Sequence, residues 1–232
     1  MNPHYTYLLI DVLTVLFPFL LSFDKKVAFY KQWKNLWVGL LGTGAVFIAW
    51  DVWFTAMGVW SFNEAYITGV KLAGLPIEEW AFFLVVPYSC VFIYECLLCY
   101  FPFRQKKDWG WNVMLWLGIA VLAVGFMNSY RAYTFSAFSL CGFAMILLYV
   151  MRNSFPTFNA AAFVVCYLIS LLPFLIVNGF LTALPVVIYD DTENLGIRIY
   201  TIPFEDCFYG MLLMLGNVWG MEWMRGRRAK TA

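Results

Sequence analysis

Long apolar runs, separated by short polar connections, recur along the whole chain and predict membrane-spanning helices. Each run has roughly the 17–25 residues that a helix needs to cross the hydrocarbon core of a bilayer. No segment is polar enough for a separate soluble domain, so we expect residues 1–232 to form one all-α integral membrane domain. The seven predicted transmembrane helices cover residues 5–23, 36–56, 78–101, 110–127, 132–151, 160–181 and 204–223.

Composition supports this class and excludes others. Hydrophobic residues make up 63% of the chain and charged residues only 12%, against about 25% charged in typical soluble domains. A net charge of +1 argues against a nucleic-acid partner. Because His4 is the single histidine, the usual His/Cys metal site has little support, and no metal is predicted. The first residues lack the basic region of a cleaved signal peptide, so the first run is expected to remain as a span.

The positive charges predict an orientation in the cell (inner) membrane, because lysine and arginine accumulate in cytoplasmic loops. Twelve lie in the connections after spans one, three and five and in the C-terminal tail, against three on the other side. The N-terminus is therefore expected outside and the C-terminus in the cytoplasm. The twelve are Lys25, Lys26, Lys31, Lys34, Arg104, Lys106, Lys107, Arg152, Arg225, Arg227, Arg228 and Lys230, and the three are Lys71, Arg131 and Arg198.

An internal repeat organises the chain. A shift of 127 residues aligns 51–79 with 178–206 without a gap and pairs Pro76 with Pro203. We predict repeat one over 4–101, a linker helix over 110–127 and repeat two over 132–224, that is, a 3+1+3 arrangement. Parallel repeats of this kind are related by a pseudo-two-fold axis along the membrane normal. Such an axis could bring the two copies of one motif face to face.

That motif is a proline followed by paired carboxylates. Leu75-Pro76-Ile77-Glu78-Glu79-Trp80 returns as Ile202-Pro203-Phe204-Glu205-Asp206-Cys207, and both copies precede a long apolar run. Proline at the first helical position and acids in the first turn suit a helix start. Helix capping would explain one copy alone. A second copy, in a chain so poor in charge, favours a functional site.

Acids near the bilayer are costly and are therefore functional candidates. Carboxylates crowded into a low-dielectric site cannot all ionise, so a proton donor and a proton acceptor can share one site. Asp51 and its repeat mate Asn178 are auxiliary candidates, with the prolines that start the helices. Glu95 and Glu222, at the other ends of their spans, are expected to pair with basic residues, and Asp11 to hydrogen-bond a neighbouring helix. The candidate catalytic residues are Glu78, Glu79, Glu205 and Asp206.

Aromatic residues crowd the neighbourhood of both motifs. Interfacial belts and ordinary packing explain most such residues. The alternative is that some rings line a carbocation site, because a ring face attracts a cation within about 6 Å. The candidate lining residues are Trp53, Trp80, Phe83 and Tyr209.

The sequence around the first motif resembles the membrane lycopene cyclase domain family. The resemblance is carried by Gly58-Val59-Trp60-Ser61-Phe62-Asn63, Tyr66-Ile67-Thr68-Gly69 and the motif with its following Ala81-Phe82-Phe83. That family includes the two-subunit carotenoid cyclases of actinobacteria and the cyclase portion of fused fungal enzymes. The resemblance covers essentially the whole chain, with both repeats in one polypeptide. In the second repeat, Asp190, Asp191 and Glu193 replace Asn63, Glu64 and Tyr66, so the two halves can have unequal roles.

The resemblance implies conversion of lycopene, or a related acyclic carotenoid, to a ring-ended product by acid–base chemistry without net redox change. It also implies the motif carboxylates as the catalytic set. No Gly-x-Gly-x-x-Gly is present to bind a flavin, and no cofactor is expected. The substrate would arrive through the lipid bilayer, and other enzymes of carotenoid biosynthesis are candidate partners.

Two other function classes compete with an enzyme. A small-solute transporter can also be built from 3+1+3 parallel repeats, but it would need polar side chains around a midplane cavity. A purely structural partner of another membrane enzyme is the second alternative. A retinal protein is close to excluded, because it needs a lysine inside the last span, and 204–223 contains none.

Overall fold

Seven long helices build the molecule, and the computed structural model describes residues 2–101 and 109–231. The predicted boundaries agree with the observed ones within three residues, except that the last helix continues eight residues further, through its basic end. The helices are α1 (Thr6–Leu21), α2 (Trp33–Met57), α3 (Ile77–Tyr100), α4 (Trp109–Met127), α5 (Ala132–Val150), α6 (Ala160–Ala183) and α7 (Glu205–Thr231).

Six of these helices, α1 to α6, are long and apolar enough to cross a membrane, which supports a membrane-embedded protein. The last helix, α7, is not among the six; it has acids in its first turn and basic residues near its end. The all-helical class is confirmed. The exact order of seven crossings in a 3+1+3 arrangement stays a prediction.

Short strands, which the all-α prediction overlooked, shape the connections before α3 and α7. Each connection ends in a hairpin whose last strand contains the motif proline. Their turns need positive φ at Ala73, Gly74 and Tyr200. The strands are β1 (Trp60–Phe62), β2 (Lys71–Leu72), β3 (Leu75–Pro76), β4 (Val187–Tyr189), β5 (Arg198–Ile199) and β6 (Ile202–Pro203).

The pairing of β1 with β4 joins the two halves of the chain. The strands are antiparallel, with Trp60 opposite Tyr189 and Ser61 opposite Ile188. Ser61 and Ile188 are themselves 127 residues apart, so this pair of repeat mates sits at the centre of the ladder. The hairpins follow the same shift, since Lys71 pairs with Pro76 and Arg198 with Pro203. We call the end of the bundle that carries these strands the motif end.

Close packing of α2 on α7 depends on glycine. A Cβ at Gly39 would lie 2.6 Å from the carbonyl oxygen of Asn217, and a Cβ at Gly220 would lie 2.7 Å from the Cα of Gly39. A Cβ at Gly216 would likewise lie 2.7 Å from the hydroxyl oxygen of Thr43. Any larger residue would separate the helices, and small residues at such interfaces let membrane helices approach closely.

A partly buried ion pair network holds the opposite end, which we call the basic end. Arg225 donates to both Glu95 and Glu222 at 2.6 Å. The expectation that these two acids pair with basic residues is confirmed. Of the charges used to predict orientation, Arg104, Lys106, Lys107 and the side chain of Lys230 lie outside the described residues.

Candidate functional site

A small cavity of about 70 Å³ lies at the motif end between the two halves of the chain. Three carboxyl groups line it: Glu79 from the first turn of α3, Asp206 from the first turn of α7 and Asp51 from the last third of α2. All three side chains are buried. No lysine or arginine stands among its lining residues in the described part of the chain. The lining of the site is thus rich in acid and, among the described residues, poor in basic side chains.

Tyrosine and tryptophan hold the two acids of repeat one. The Tyr7 hydroxyl, from the first turn of α1, donates to Glu79 Oε2 at 2.5 Å. The Trp60 indole N–H, from β1, donates to Asp51 Oδ1 at 2.5 Å, and Thr55 donates to the same oxygen at 3.4 Å. One oxygen of each acid is thereby fixed in position.

The Asp51 and Glu79 carboxyl groups are also neighbours within hydrogen-bonding reach of each other. Asp51 Oδ2 is buried and has no other donor among the described residues. A proton shared between Asp51 and Glu79 would satisfy that oxygen. Two carboxyl groups this close, without a counterion, cannot both carry a charge. The geometry therefore favours one proton held between Asp51 and Glu79.

Asp206, on the other side of the cavity, has a different environment. Tyr133 donates to Oδ1 at 2.5 Å and Tyr189 donates to Oδ2 at 3.0 Å, so both oxygens have a donor. Asn178 stands where repeat one has Asp51, so among the described residues repeat two contributes Asp206 but no second carboxyl group to the cavity lining. Burial, and then the charge of Asp206, raise the pKa of the Tyr189 phenol. Tyr189 therefore remains protonated and able to donate.

Local structure places these donors accurately. Glu193 begins α5 by accepting the backbone N–H of Tyr133 on its carbonyl oxygen at 3.0 Å and that of Ala132 on its side chain at 2.8 Å. This cap fixes Tyr133, the second residue of α5. The register of β1 against β4 sets Trp60 opposite Tyr189. Each half thus contributes one strand residue that donates to an acid of its own half.

The other two motif acids, Glu78 and Glu205, are buried but do not line the cavity. Glu78 Oε1 accepts the backbone N–H of Thr68 at 2.7 Å. Glu205 Oε1 accepts the backbone N–H of Leu195 at 2.7 Å and the Thr134 hydroxyl at 2.6 Å. Each of these two acids joins the loop that precedes its motif helix to the first turn of that helix. The predicted quartet of catalytic acids is therefore split into a lining pair and a loop-holding pair.

Pro76 and Pro203 hold equivalent places at the ends of the two hairpins, in β3 and β6. Pro76 is the N-cap of α3, with φ −56° and ψ 146°. The backbone turns there from strand to helix, so the next residues begin α3 with their carboxylates in the first turn. Both prolines act on the site through the backbone.

Of the four aromatic residues predicted to line the site, the structure brings only Tyr209 to the cavity. Trp53 is 61% exposed because it lies on the outer face of α2. Trp80 donates its indole N–H to the carbonyl of Leu72 at 3.1 Å, so it braces the first hairpin. Phe83 is buried against Phe47 and Phe82 behind the cavity wall. These three placements correct the prediction.

Among the rings that surround the acids, Tyr209 was predicted, whereas Trp60, Tyr133 and Tyr189 were overlooked as site residues. Trp60, Tyr133, Tyr189 and Tyr209 pack with ring centroids 5.2–6.3 Å apart. Tyr7 was overlooked as well. A signal existed, since Tyr-Thr occurs near the start of both span one and span five. Tyr7 and Tyr133, 126 residues apart, hold equivalent places, because each hydroxyl donates to the cavity-lining motif acid of its own half.

Asp11 corrects another expectation. It is buried in α1, yet neither carboxyl oxygen has a hydrogen-bond partner among the described residues. It lies near Glu78 and Glu79. Some buried carboxyl oxygens at the motif end thus have no hydrogen-bond donor among the described residues.

Comparison with known protein families matches the lycopene cyclase family over residues 4–97 and 130–224, more than three quarters of the chain. The chain belongs to the lycopene cyclase family. The match falls in two segments on either side of α4, as expected of two cyclase domains fused in one polypeptide. Searches among curated proteins and among solved structures found no match.

Lycopene cyclase membership supports an enzyme that acts on a carotenoid within a membrane. The transporter alternative has no support from the family match. The site agrees with this outcome, because three buried acids line one small cavity at one end of the bundle.

Proposed function

We propose that this protein closes rings at the acyclic ends of lycopene by acid–base chemistry in the acid-lined cavity. The observation that carries the proposal is that Glu79 and Asp206, one from each repeat, line a single cavity in two different hydrogen-bonding environments. A protonated and an ionised carboxyl facing one small space is the pattern used to separate acid and base roles.

Glu79, sharing a proton with Asp51, is the proposed acid. It delivers that proton to C2 of the ψ-end, where the electron pair of the C1–C2 double bond takes it up and leaves a cation at C1. Tyr7 and Asp51 orient the Glu79 carboxyl, since both hydrogen-bond to it. After the proton has left, the hydrogen bond from Tyr7 stabilises the new carboxylate.

Asp206 is the proposed base. The C5–C6 double bond attacks C1, the new C1–C6 bond closes the ring, and the cation moves to C5. Asp206 then removes the C6 proton, whose bonding electrons form the C5–C6 double bond of a β-ring. One proton enters and one leaves, so the product is an isomer of the substrate. Hydrogen bonds from Tyr133 and Tyr189 favour the carboxylate form of Asp206, which accepts the proton in that step.

The surrounding rings support the cationic intermediates. Trp60, Tyr133, Tyr189 and Tyr209 present aromatic surface around the cavity. A ring face within about 6 Å stabilises a cation, and more so where water is excluded. Exclusion of water also protects the cation from capture as an alcohol.

Glu78 and Glu205 are proposed as positioning residues, because each joins a loop to the first turn of a motif helix. Asn178, which lines the same cavity, is proposed to orient the end group without exchanging a proton. Glu79 and Asp206 are thus the proposed catalytic residues, and Asp51 is the proposed partner that shares a proton with Glu79.

The proposed setting is the cell membrane, with seven crossing helices and the motif end outside. Lys71, Arg131 and Arg198 are the few basic residues of the motif end, whereas the basic end holds most of the positive charge. The excess of lysine and arginine at one end is the physical ground for placing that end in the cytoplasm. Substrate handover from another enzyme of carotenoid biosynthesis is compatible with this setting.

Expression of the native chain in bacteria that accumulate lycopene tests the function. We expect the extracted pigment to change from lycopene to ring-ended carotene, as measured by chromatography and absorption spectra at a matched membrane level of protein. Lycopene left untouched by the well-expressed chain, both in cells and in purified membranes, would contradict the cyclase proposal.

A further inference from the structure

A second and larger cavity adjoins the acid-lined one. We call it the apolar cleft; it has a volume of about 380 Å³ and lies between α1, α3, α6 and α7. Its wall is almost entirely hydrocarbon. On α6 the lining residues run from Tyr167 to Phe180, so the cleft extends about 20 Å along that helix.

The apolar cleft and the acid-lined cavity meet at a junction where they share part of their walls. Phe82, Val86, Phe174, Asn178 and Gly210 line both spaces. The acid-lined cavity alone, at about 70 Å³, is smaller than the roughly 150 Å³ apolar cavity that binds benzene. A ring-forming end group must therefore also use space on the cleft side of this junction.

The cleft opens sideways toward the membrane between α1 and α6. Leu13 and Phe17 of α1, and Ile176 and Phe180 of α6, line it and are each more than half exposed. These exposed residues face lipid in a membrane-embedded bundle. An apolar chain can thus enter from the bilayer without crossing water.

The equivalent interface of the other half is closed. Under the 127-residue shift, the contact of α2 with α7 corresponds to that of α6 with α3. The glycines that bring α2 onto α7, namely Gly39, Gly216 and Gly220, correspond to Cys166, Ser89 and Ile93. Ser89 and Ile93 line the apolar cleft. Larger side chains therefore hold apart in one half the helices that glycine brings together in the other.

Where the apolar cleft meets the acid-lined cavity, the difference is reversed: the open half has the glycine and the closed half has the large residue. Gly210 corresponds to Phe83 under the same shift, and Phe174 corresponds to Phe47. In the closed half, the Phe47 and Phe83 rings pack together with centroids 6.0 Å apart. In the open half, Gly210 has no side chain to pack there, and the Phe174 ring lies beside it, since a Cβ at Gly210 would be 3.3 Å from that ring. Glycine at this position keeps the passage from the cleft to the acids open.

We propose that the apolar cleft binds the linear polyene chain of the substrate and that Gly210 keeps the junction open for its end group. This inference rests on the proposed function, since the acids define which end of the cleft is reactive. Because the cleft is long and apolar, it selects long linear isoprenoid hydrocarbons as substrates. Because the cleft brings one end group at a time to the acids, the substrate has to leave and return reversed before its second end can react.

The Gly210→Phe variant tests the inference by giving the open half the residue of the closed half. We expect at least about a tenfold loss of kcat/KM for lycopene in lipid vesicles, because a misplaced reacting end is costly. Gly42→Phe is the matched control, since a Cβ at Gly42 meets nothing within 4 Å and the residue is exposed on α2. Its activity should equal that of the native chain.

A second variant covers a failure of Gly210→Phe to fold. Ile176→Trp narrows the mouth at an exposed position, so folding should be preserved while KM for lycopene rises. Native-like kcat/KM in both folded variants would overturn the cleft assignment, leave cyclisation standing and make the cleft a site for lipid chains only. An inactive native chain would instead overturn the proposed function, and the two failures are thereby separated.

Discussion

Replacing Glu79 by Gln is expected to lower the rate of ring formation by about a hundredfold to ten-thousandfold, the usual contribution of a positioned acid or base. Gln keeps the size of the side chain and can still accept from Tyr7, but it carries no proton for C2. The measurement is the initial rate of lycopene loss in lipid vesicles, normalised to the amount of folded protein.

Glu64→Gln is the matched control for that experiment. Glu64 lies at the same end of the molecule in an exposed ion pair with Lys71 and lines neither cavity. Exposed pairs of this kind contribute little to stability, so the rate should stay native. A native rate in Glu79→Gln would show that Glu79 does not supply the proton and would leave it with a helix-capping role.

Replacing Asp206 by Asn is expected to cause a loss of similar size, about a hundredfold or more, with a different product pattern. The C5 cation still forms when the acid is intact, but no carboxylate stands ready to remove the C6 proton. Loss of a proton from C4 or from the methyl group on C5 then gives ε- or γ-rings among the residual product. Chromatography of that product measures the ring types.

Asp191→Asn is the control here, since Asp191 is an exposed neighbour in an ion pair with Arg198. It should retain the native rate and ring type. A residual product of Asp206→Asn with the native ring type, formed at a native rate, would contradict the role of Asp206 as base. The two variants together separate protonation from deprotonation, because Glu79→Gln should slow the reaction without changing the ring type.

The helices could be predicted from the sequence because hydrophobic length is a local property. Runs such as 110–127 and 132–151 needed only a count of apolar residues to be placed within a residue of α4 and α5. The strands could not be predicted in this way, since β1 exists only through its pairing with β4, more than 120 residues away. Two- and three-residue strands leave no periodic pattern to detect.

The motif acids could be recognised because carboxylates in apolar surroundings are rare and this pair occurs twice. Their separate roles were hidden, because adjacent residues on a helix point about 100° apart and only the fold shows which one faces the cavity. Glu79 and Asp206 face it, whereas Glu78 and Glu205 bind loop amides.

The aromatic neighbours were the least predictable part of the site. Trp53 is three residues from Trp50 on the same helix, yet it faces outward, while Trp60 reaches Asp51 from a strand. Tyr7 and Tyr189 reach their acids from 72 and 17 residues away. Contacts at such distances follow from tertiary packing, which single-residue patterns do not encode.

The most direct test of the central claim is ring formation by the purified protein in D₂O. In the proposed mechanism, one solvent-exchanged carboxyl proton is delivered to C2 for each ring that forms. Mass spectrometry and NMR of the product should therefore find one deuterium per ring, at C2. Ring-ended product without deuterium at C2 would contradict proton delivery from the cavity acids and, with it, the proposed mechanism.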